Sequence, residues 1–194
     1  MPLLVFITGK QGSGKSYVAE KWARSNHAQY ICIDRVLVAG GKTIPDVTRK
    51  GPTDWANWKN VSPEMREHCL RSGLRSVYRG FEGFSGDFVV EGAILCNHWF
   101  FDSLLPALGQ LIPTDADPHY FYLDVSNQTI HDNVHRRAAA DPKNRGHERQ
   151  QFAEVADVAT AHTGFDEAIR QFPGRWIAVG STEILEAAVK ALQF

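Results

Sequence analysis

One turn constrains this chain more than any other feature in it. Gly9-Lys10-Gln11-Gly12-Ser13-Gly14-Lys15-Ser16 matches G-x-x-x-x-G-K-[ST] without a mismatch. An apolar run, Leu3 to Thr8, leads into it, and a helical pattern from about Gly14 to Ser25 leads out. Those flanks separate a phosphate cradle from a glycine-rich turn that fits by accident. Polyphosphate brings several negative charges that must be held without long side chains crowding them. Glycines let the backbone curl until successive N–H groups point inward at the N-terminus of the following helix. From there Lys15 reaches the β- and γ-phosphates, and the Ser16 hydroxyl is placed to ligate Mg²⁺. Gly9 through Ser16, with Tyr17, are therefore the expected nucleotide contacts, and ATP and Mg²⁺ the expected cofactors.

The rest of the chain supplies a matching scaffold. Tyr30 to Asp34, Asp87 to Ala93, His119 to Val125 and Arg175 to Gly180 each suit a buried strand. A helix is predicted from Pro63 to about Phe81, with Ser62 as N-cap and Pro63 at its first position. Others are predicted at Asn97 to Leu105, ending near Pro106, and at Gln128 to Ala140. One long helical stretch is expected from about Glu148 to Phe172. Ser181 to Leu192 closes the chain, capped by Ser181 or Thr182, with Glu183 in the first turn. Strands alternating with helices predict an α/β fold, a doubly wound five-stranded parallel sheet covered on both faces. Two stretches read instead as inserted loops of the kind that carry function. Ala39 to Val61 holds Gly40-Gly41, Pro45, Gly51-Pro52 and a Trp55-x-x-Trp58 pair, and Asp141 to His147 holds Pro142 and Gly146.

Composition narrows the class further. A chain of 194 residues suits one domain whose core needs neither disulfides nor structural metal. Five Trp, five Tyr and eleven Phe spread along it exclude disorder. No apolar run approaches the ~20 residues of a membrane helix. Met-Pro-Leu-Leu-Val-Phe-Ile-Thr reads as a strand and lacks the marks of a signal peptide. Cys32, Cys69 and Cys96 show no C-x-x-C spacing, which fits reduced thiols in a cytoplasmic protein. The net charge of -1 gives no global field toward duplex DNA. Its distribution is uneven: residues 49–79 hold seven basic and three acidic side chains, residues 150–194 three basic and six acidic. The basic surplus suits an anionic substrate or a solvated helix face equally well.

Three further segments follow the turn in an informative order: Ile31-Cys32-Ile33-Asp34-Arg35, Val89-Val90-Glu91-Gly92, and Tyr120-Phe121-Tyr122-Leu123-Asp124-Val125-Ser126 before a helix carrying Arg136-Arg137. Together with Gly9–Ser16 they resemble the small P-loop kinases of the nucleoside-monophosphate-kinase-like group, over nearly the whole chain. The resemblance implies a second strand whose terminal acid faces the acceptor hydroxyl and a third strand ending in an acid. It also implies a lid whose arginines close over the phosphates. Residues 1–194 would then form one kinase domain, with a substrate-side insertion at about 39–82 and a small helical lid at about 136–150. The third strand lacks the Asp-Arg usual in thymidylate kinases, and the lid has no four-cysteine zinc pattern.

An acid at the C-terminal end of a parallel strand opens into the crevice where such sheets bind ligands. Asp34 either accepts the proton of an attacking hydroxyl or caps a helix ahead of Arg35. Glu91 holds Mg²⁺ through water, binds a substrate hydroxyl, or serves as a buried structural acid; Asp124 reads as structural. Phosphoryl transfer leaves the protein mostly positioning and charge stabilisation. Arg137 is the first choice for that charge and Arg136 the second, with Arg145 and Arg149 behind them. Trp55 and Trp58 join Asp34, Arg35 and Glu91 on the expected acceptor side, where aromatics stack a base or simply belong to the core. His131 and His135, four residues apart, read as a surface pair. An acid on the second strand favours a hydroxyl acceptor, because a phosphate acceptor arrives ionised and needs no base.

The expected activity is thus ATP-dependent transfer of the γ-phosphate to a hydroxyl of a nucleoside, nucleotide or modified nucleic-acid base. One such acceptor is a hydroxymethyl-pyrimidine in DNA, as handled by related phage kinases, which would act in the host cytoplasm. A kinase of a small metabolite or antibiotic hydroxyl is the alternative. A nucleotide-dependent switch or assembly ATPase is a second. The expected partners are ATP and the hydroxyl-bearing acceptor, nucleic acid among them, and no membrane.

Overall fold

Alternate residues of β1 (Leu3–Gly9) part to opposite sides, Leu4 and Phe6 into one apolar layer, Val5 and Ile7 into the other. The computed structural model that shows this describes residues 2–41, 58, 60–78, 84–113, 115–171 and 175–192. Around β1 lie β2 (Gln29–Cys32), β3 (Phe88–Glu91), β4 (Asp117–Leu123) and β5 (Ile177–Val179). All pairings are parallel, in the order β2-β3-β1-β4-β5. The expected doubly wound five-stranded sheet is what the chain forms. Period-two alternation continues in β3, whose Phe88 and Val90 join the layer of Phe6 while Val89 joins that of Val5.

Helices cover both faces. On one side α1 (Lys15–Ser25), α5 (Asn127–Ala140) and α9 (Thr182–Ala191) bury Val18, Trp22, Ile130, Val134, Leu185 and Val189. On the other, α2 (Ile33–Gly41), α3 (Pro63–Val77) and α4 (His98–Leu108) bury Val36, Leu37, Leu70, Leu74, Phe100 and Leu104. Helix starts are set locally. Ser62, Ser126 and Ser181 each accept the N–H three residues on, from Met65, Thr129 and Ile184, and Pro63 follows Ser62 at the first position. Among the described residues no helix is long and apolar enough to cross a membrane.

Five expectations need correction. The second strand ends at Cys32, where its ladder with Glu91 ends, so Asp34 lies in the first turn of α2. Residues through Gly41, read as loop from Ala39, complete that helix; Ile33, Val36, Leu37 and Gly40 are its buried face. Residues 42–57, including Trp55, lie outside the described residues. The stretch at 141–147 is also helical, part of α6 (Pro142–Gln151), because a proline at the first position opens a helix instead of breaking one. The long helix expected after Glu148 is three pieces: the end of α6, then α7 (Val155–Ala161) and α8 (Thr163–Arg170). A reciprocal Glu154–Asp157 cap restarts the chain at α7, and the Nε2–H groups of His131 and His135 donate to the Ala153 and Phe152 carbonyls that α6 leaves behind. Finally, α4 runs past Pro106 to Leu108; the carbonyl that loses its partner belongs to exposed Asp102.

The tightest crossing joins α2 and α3. A Cβ on Gly40 would stand 2.1 Å from the Cys69 carbonyl oxygen, and one on Gly73 would stand 2.2 Å from that of Val36. Both positions must therefore lack a side chain. Gly73→Ala is expected to destabilise the fold by about 1–3 kcal/mol through overpacking. Gly146→Ala, in α6 with nothing within 4 Å of its Cβ position, should be neutral or stabilising. Urea denaturation of both variants checks this, and equal stabilities would contradict it.

Candidate active site

The strand order reverses between β3 and β1, and that is where α/β sheets open a binding crevice at their carboxyl ends. Thr8 Oγ1 donates to the Gly92 carbonyl at 3.0 Å, and the Gly92 N–H donates to Ile7 O at 3.2 Å, so the two strand ends are tied together. A cleft of about 1340 Å³ lies above them.

The turn after β1 enters this cleft. Gly12 and Gly14 have φ of +88° and +100°, which favours glycine in each case. Space demands glycine as well: a Cβ would meet Val134 at 2.9 Å from position 12 and Thr182 at 2.8 Å from position 14. The Ser13 N–H closes the turn on Lys10 O at 3.1 Å, and Asn133 Nδ2 donates to Gly12 O at 3.0 Å, tying the turn to α5. Gln11, Gly12, Lys15 and Ser16 line the cleft. Lys10 turns aside to pair with Asp166 at 3.0 Å, and Tyr17 is exposed and away from the cleft.

Two carboxylates stand opposite. Asp34 lines the cleft, and its Oδ1 is buried with no hydrogen-bond partner. Burial pushes its carboxyl above the ordinary aspartate value; Lys15 pulls it back, and Glu91 pushes it up again. Glu91 is only 1% exposed, lies behind the cleft wall, and accepts from the Tyr30 hydroxyl at 2.8 Å through Oε1 while Oε2 has no partner. Burial and the nearby Glu91 raise the Cys32 thiol to about 12, so it stays protonated. The sequence paired Ser16 with Glu91 for the metal. The structure instead brings Ser16 and Asp34 to the cleft surface, with Glu91 held behind. A hydroxyl and orphaned carboxylate oxygens are the hard donors that suit Mg²⁺.

The basic residues sort themselves by helix phase. Arg137 lines the cleft, donates to Glu148 Oε2 at 3.3 Å, and leaves a buried Nε without a partner. Arg145 reaches the same Glu148 through Oε1 at 3.2 Å. Arg136, one residue before Arg137, is on the exposed side of α5 and bonds to Asn133; it does not face the cleft, which corrects its place beside Arg137. Arg149 is likewise exposed and off the cleft. Arg35 is exposed too, 4.0 Å from Glu20, and does not line the cleft that Asp34 lines, so the structure does not bring it together with Asp34 as expected. Trp58 is fully buried in the same apolar layer as Leu37, Leu70 and Phe100, which removes it as a stacking surface.

Two residues that sequence reasoning missed complete the site. Arg66 of α3 is 6% exposed and lines the cleft; its guanidinium lies over the Trp99 ring at 5.2 Å, and its Nε is buried without a partner. Among the described residues no carboxylate lies within ion-pair distance of it. The basic surplus at 49–79 pointed to this region, and helix phase singles Arg66 out, since it shares the buried face of Cys69, Leu70 and Gly73. Glu148, buried and gripping both cleft arginines, is the other.

No protein-family model and no curated protein matches the chain. Among solved structures it is similar to a gluconokinase from Sinorhizobium meliloti 1021, at 17% identity over 99% of this chain and 95% of that one, with a TM-score of 0.51. It is also similar to a shikimate kinase from Bacteroides thetaiotaomicron, at 15% identity over 98% and 96%, with a TM-score of 0.49. The first likeness shows the fold, that of a small P-loop kinase.

The half-buried Asp34 makes a sign-definite prediction. Its native state holds the proton more tightly than the unfolded chain does, so it costs stability as pH rises from the ordinary carboxylate range through the raised native value. Asp34→Asn should therefore melt higher than the parent protein at about pH 8, with the gap closing toward about pH 4. Thermal melts across that range test it; a gap independent of pH would contradict it.

Proposed function

We propose that this chain is an ATP-dependent phosphotransferase acting on the hydroxyl of a small acceptor that also carries an anionic group. What carries this reading is the meeting, in one cleft, of the Gly9–Ser16 turn with two side chains that each bury a polar atom without a hydrogen-bond partner among the described residues, Asp34 through Oδ1 and Arg66 through Nε. The turn amides and Lys15 hold the triphosphate. Ser16 would hold Mg²⁺, backed by the Glu91 carboxylate, and the ion would neutralise charge building on the β- and γ-phosphate oxygens. The acceptor oxygen attacks the γ-phosphorus, the bond to the β,γ-bridging oxygen breaks, ADP leaves, and the hydroxyl proton passes to Asp34. A carboxyl whose affinity for protons is raised by burial is the better base for that step. Arg137 and Arg145 transfer from Glu148 to the moving phosphoryl group when the site closes.

Arg66 supports the choice of acceptor. A buried cation with no acidic partner among the described residues is costly unless a ligand supplies the charge. With Trp99 beneath it, Arg66 would receive a carboxylate or phosphate of the acceptor. Core burial of Trp58 leaves base stacking by that ring without support, so the small-molecule alternative is favoured over nucleic acid. In this reading residues 1–194 form one kinase domain of the cytoplasm, with the lid at 136–150 and the acceptor side at 39–82.

A panel of hydroxy acids, phosphorylated alcohols, nucleosides and hydroxymethyl-pyrimidine DNA, offered with γ-labelled ATP, tests the reading. Label should reach an anionic small acceptor; release of free phosphate alone would favour the switch ATPase. Lys15→Ala should abolish transfer with the melting temperature unchanged. Arg66→Met should raise the acceptor KM about 10- to 100-fold, the value of a lost charge-assisted hydrogen bond, and leave the ATP KM alone. Equal effects on both substrates would place Arg66 outside the acceptor site.

A further inference from the structure

We propose that His162 is a ligand of the terminal phosphate, standing in the free protein where a phosphate oxygen will sit, so that nucleotide binding is linked to uptake of one proton. This rests on reading Gly9–Ser16 as a polyphosphate site. His162 lies between α7 and α8, 9% exposed, lines the cleft, and stacks on the buried Phe152 ring at 5.6 Å and 11°. Its Nδ1 is 2.8 Å from the Val158 carbonyl oxygen, which can only accept, so Nδ1 carries the hydrogen. Its Nε2 then offers a lone pair, and the backbone N–H of Gln11, within the turn itself, donates to it at 3.2 Å. A neutral imidazole nitrogen thus occupies a turn amide as an anionic oxygen would.

The surroundings make that neutral form the stable one in the free protein. Facing the ring are Lys10 from the turn, Lys15 from α1 and Asp166 from α8, the last already paired with Lys10. Glu148 of α6 stands one step further off, reached through the Gln11 side-chain amide at 3.5 Å. Burial and the two lysines hold the ring below the ordinary histidine value. Polyphosphate reverses the balance by neutralising the lysines and placing several negative charges beside the ring. The imidazolium cannot keep its place, because Nε2–H and the Gln11 N–H would both donate. Each donor turns instead to a phosphate oxygen. One proton enters from solvent per nucleotide bound, and no covalent bond changes.

Calorimetric titration of the full chain with Mg·ATP, at one pH near 8 in buffers of different ionisation heat, measures the proton count. The parent protein should take up a proton, and its affinity should tighten as pH falls. His162→Gln keeps an acceptor for Gln11 but does not titrate in this range, so it should bind ATP without that uptake. In the unaltered protein, ¹⁵N imidazole spectra should show the neutral Nδ1–H form when free and the imidazolium with Mg·ATP bound. Equal proton uptake in parent and variant, or a ring that stays neutral with ATP bound, overturns the inference alone. No ATP binding by the parent overturns the nucleotide reading and this inference with it.

Discussion

The cleft exists because two strand ends are held side by side. Thr8 at the end of β1 reaches across to the Gly92 carbonyl, and the Gly92 amide returns a hydrogen bond to Ile7. Both bonds are buried, so neither is exchanged for water without cost. Their effect is positional. The glycine-rich turn leaves from one strand end, the Glu91 carboxylate closes the other, and helices α1 and α2 start from opposite sides of the same crevice. Lys15 and Asp34 therefore face each other although neither belongs to the two strands that are tied.

A second constraint places the acceptor side. Helices α2 and α3 approach so closely that Gly40 and Gly73 admit no Cβ, and this crossing fixes the rotation of α3 about its own axis. Arg66 lies two turns before Gly73 on the same face and is carried into the cleft by that rotation, while Arg71 and Arg75 on the same helix pair outward with Glu67 and Gln110. Close helix packing is thus what brings one arginine of a basic segment into the cleft and leaves its neighbours as surface charges.

On the other side, Glu148 gathers the lid. It holds Arg137 and Arg145 together and contacts the Gln11 side chain, while His162 and Asp166 engage Gln11 and Lys10. Three polar groups, Glu148 of α6, His162 before α8 and Asp166 of α8, thereby rest on two residues of the turn, and Glu148 brings the two arginines with it. A bound phosphate would compete for every one of these contacts, since it offers the arginines, the lysine and the amide a stronger partner. Binding and lid rearrangement are the same event in such an arrangement.

What could be read from the sequence was local. The turn's glycines, the alternation of β1 and β3, and the serine caps at 62, 126 and 181 depend on residues a few positions apart, and each stands where the sequence puts it. Helix phase at Arg136 and Arg137 was not legible, because a pair of adjacent arginines looks alike until packing of Ile130 and Val134 decides which one faces inward. Trp58 and Arg35 failed for the same reason. The folding of 141–170 into three helices escaped because the breaks are made by side-chain caps and buried Phe152, with no proline or glycine between the pieces to mark them. The sequence by itself thus determined the glycine-rich turn and the sheet that presents it, since both arise from short-range backbone preferences. Only the tertiary structure decided which charges meet there: Gln11 and His162 are 151 residues apart, and contacts at that range come from packing, which no local pattern encodes.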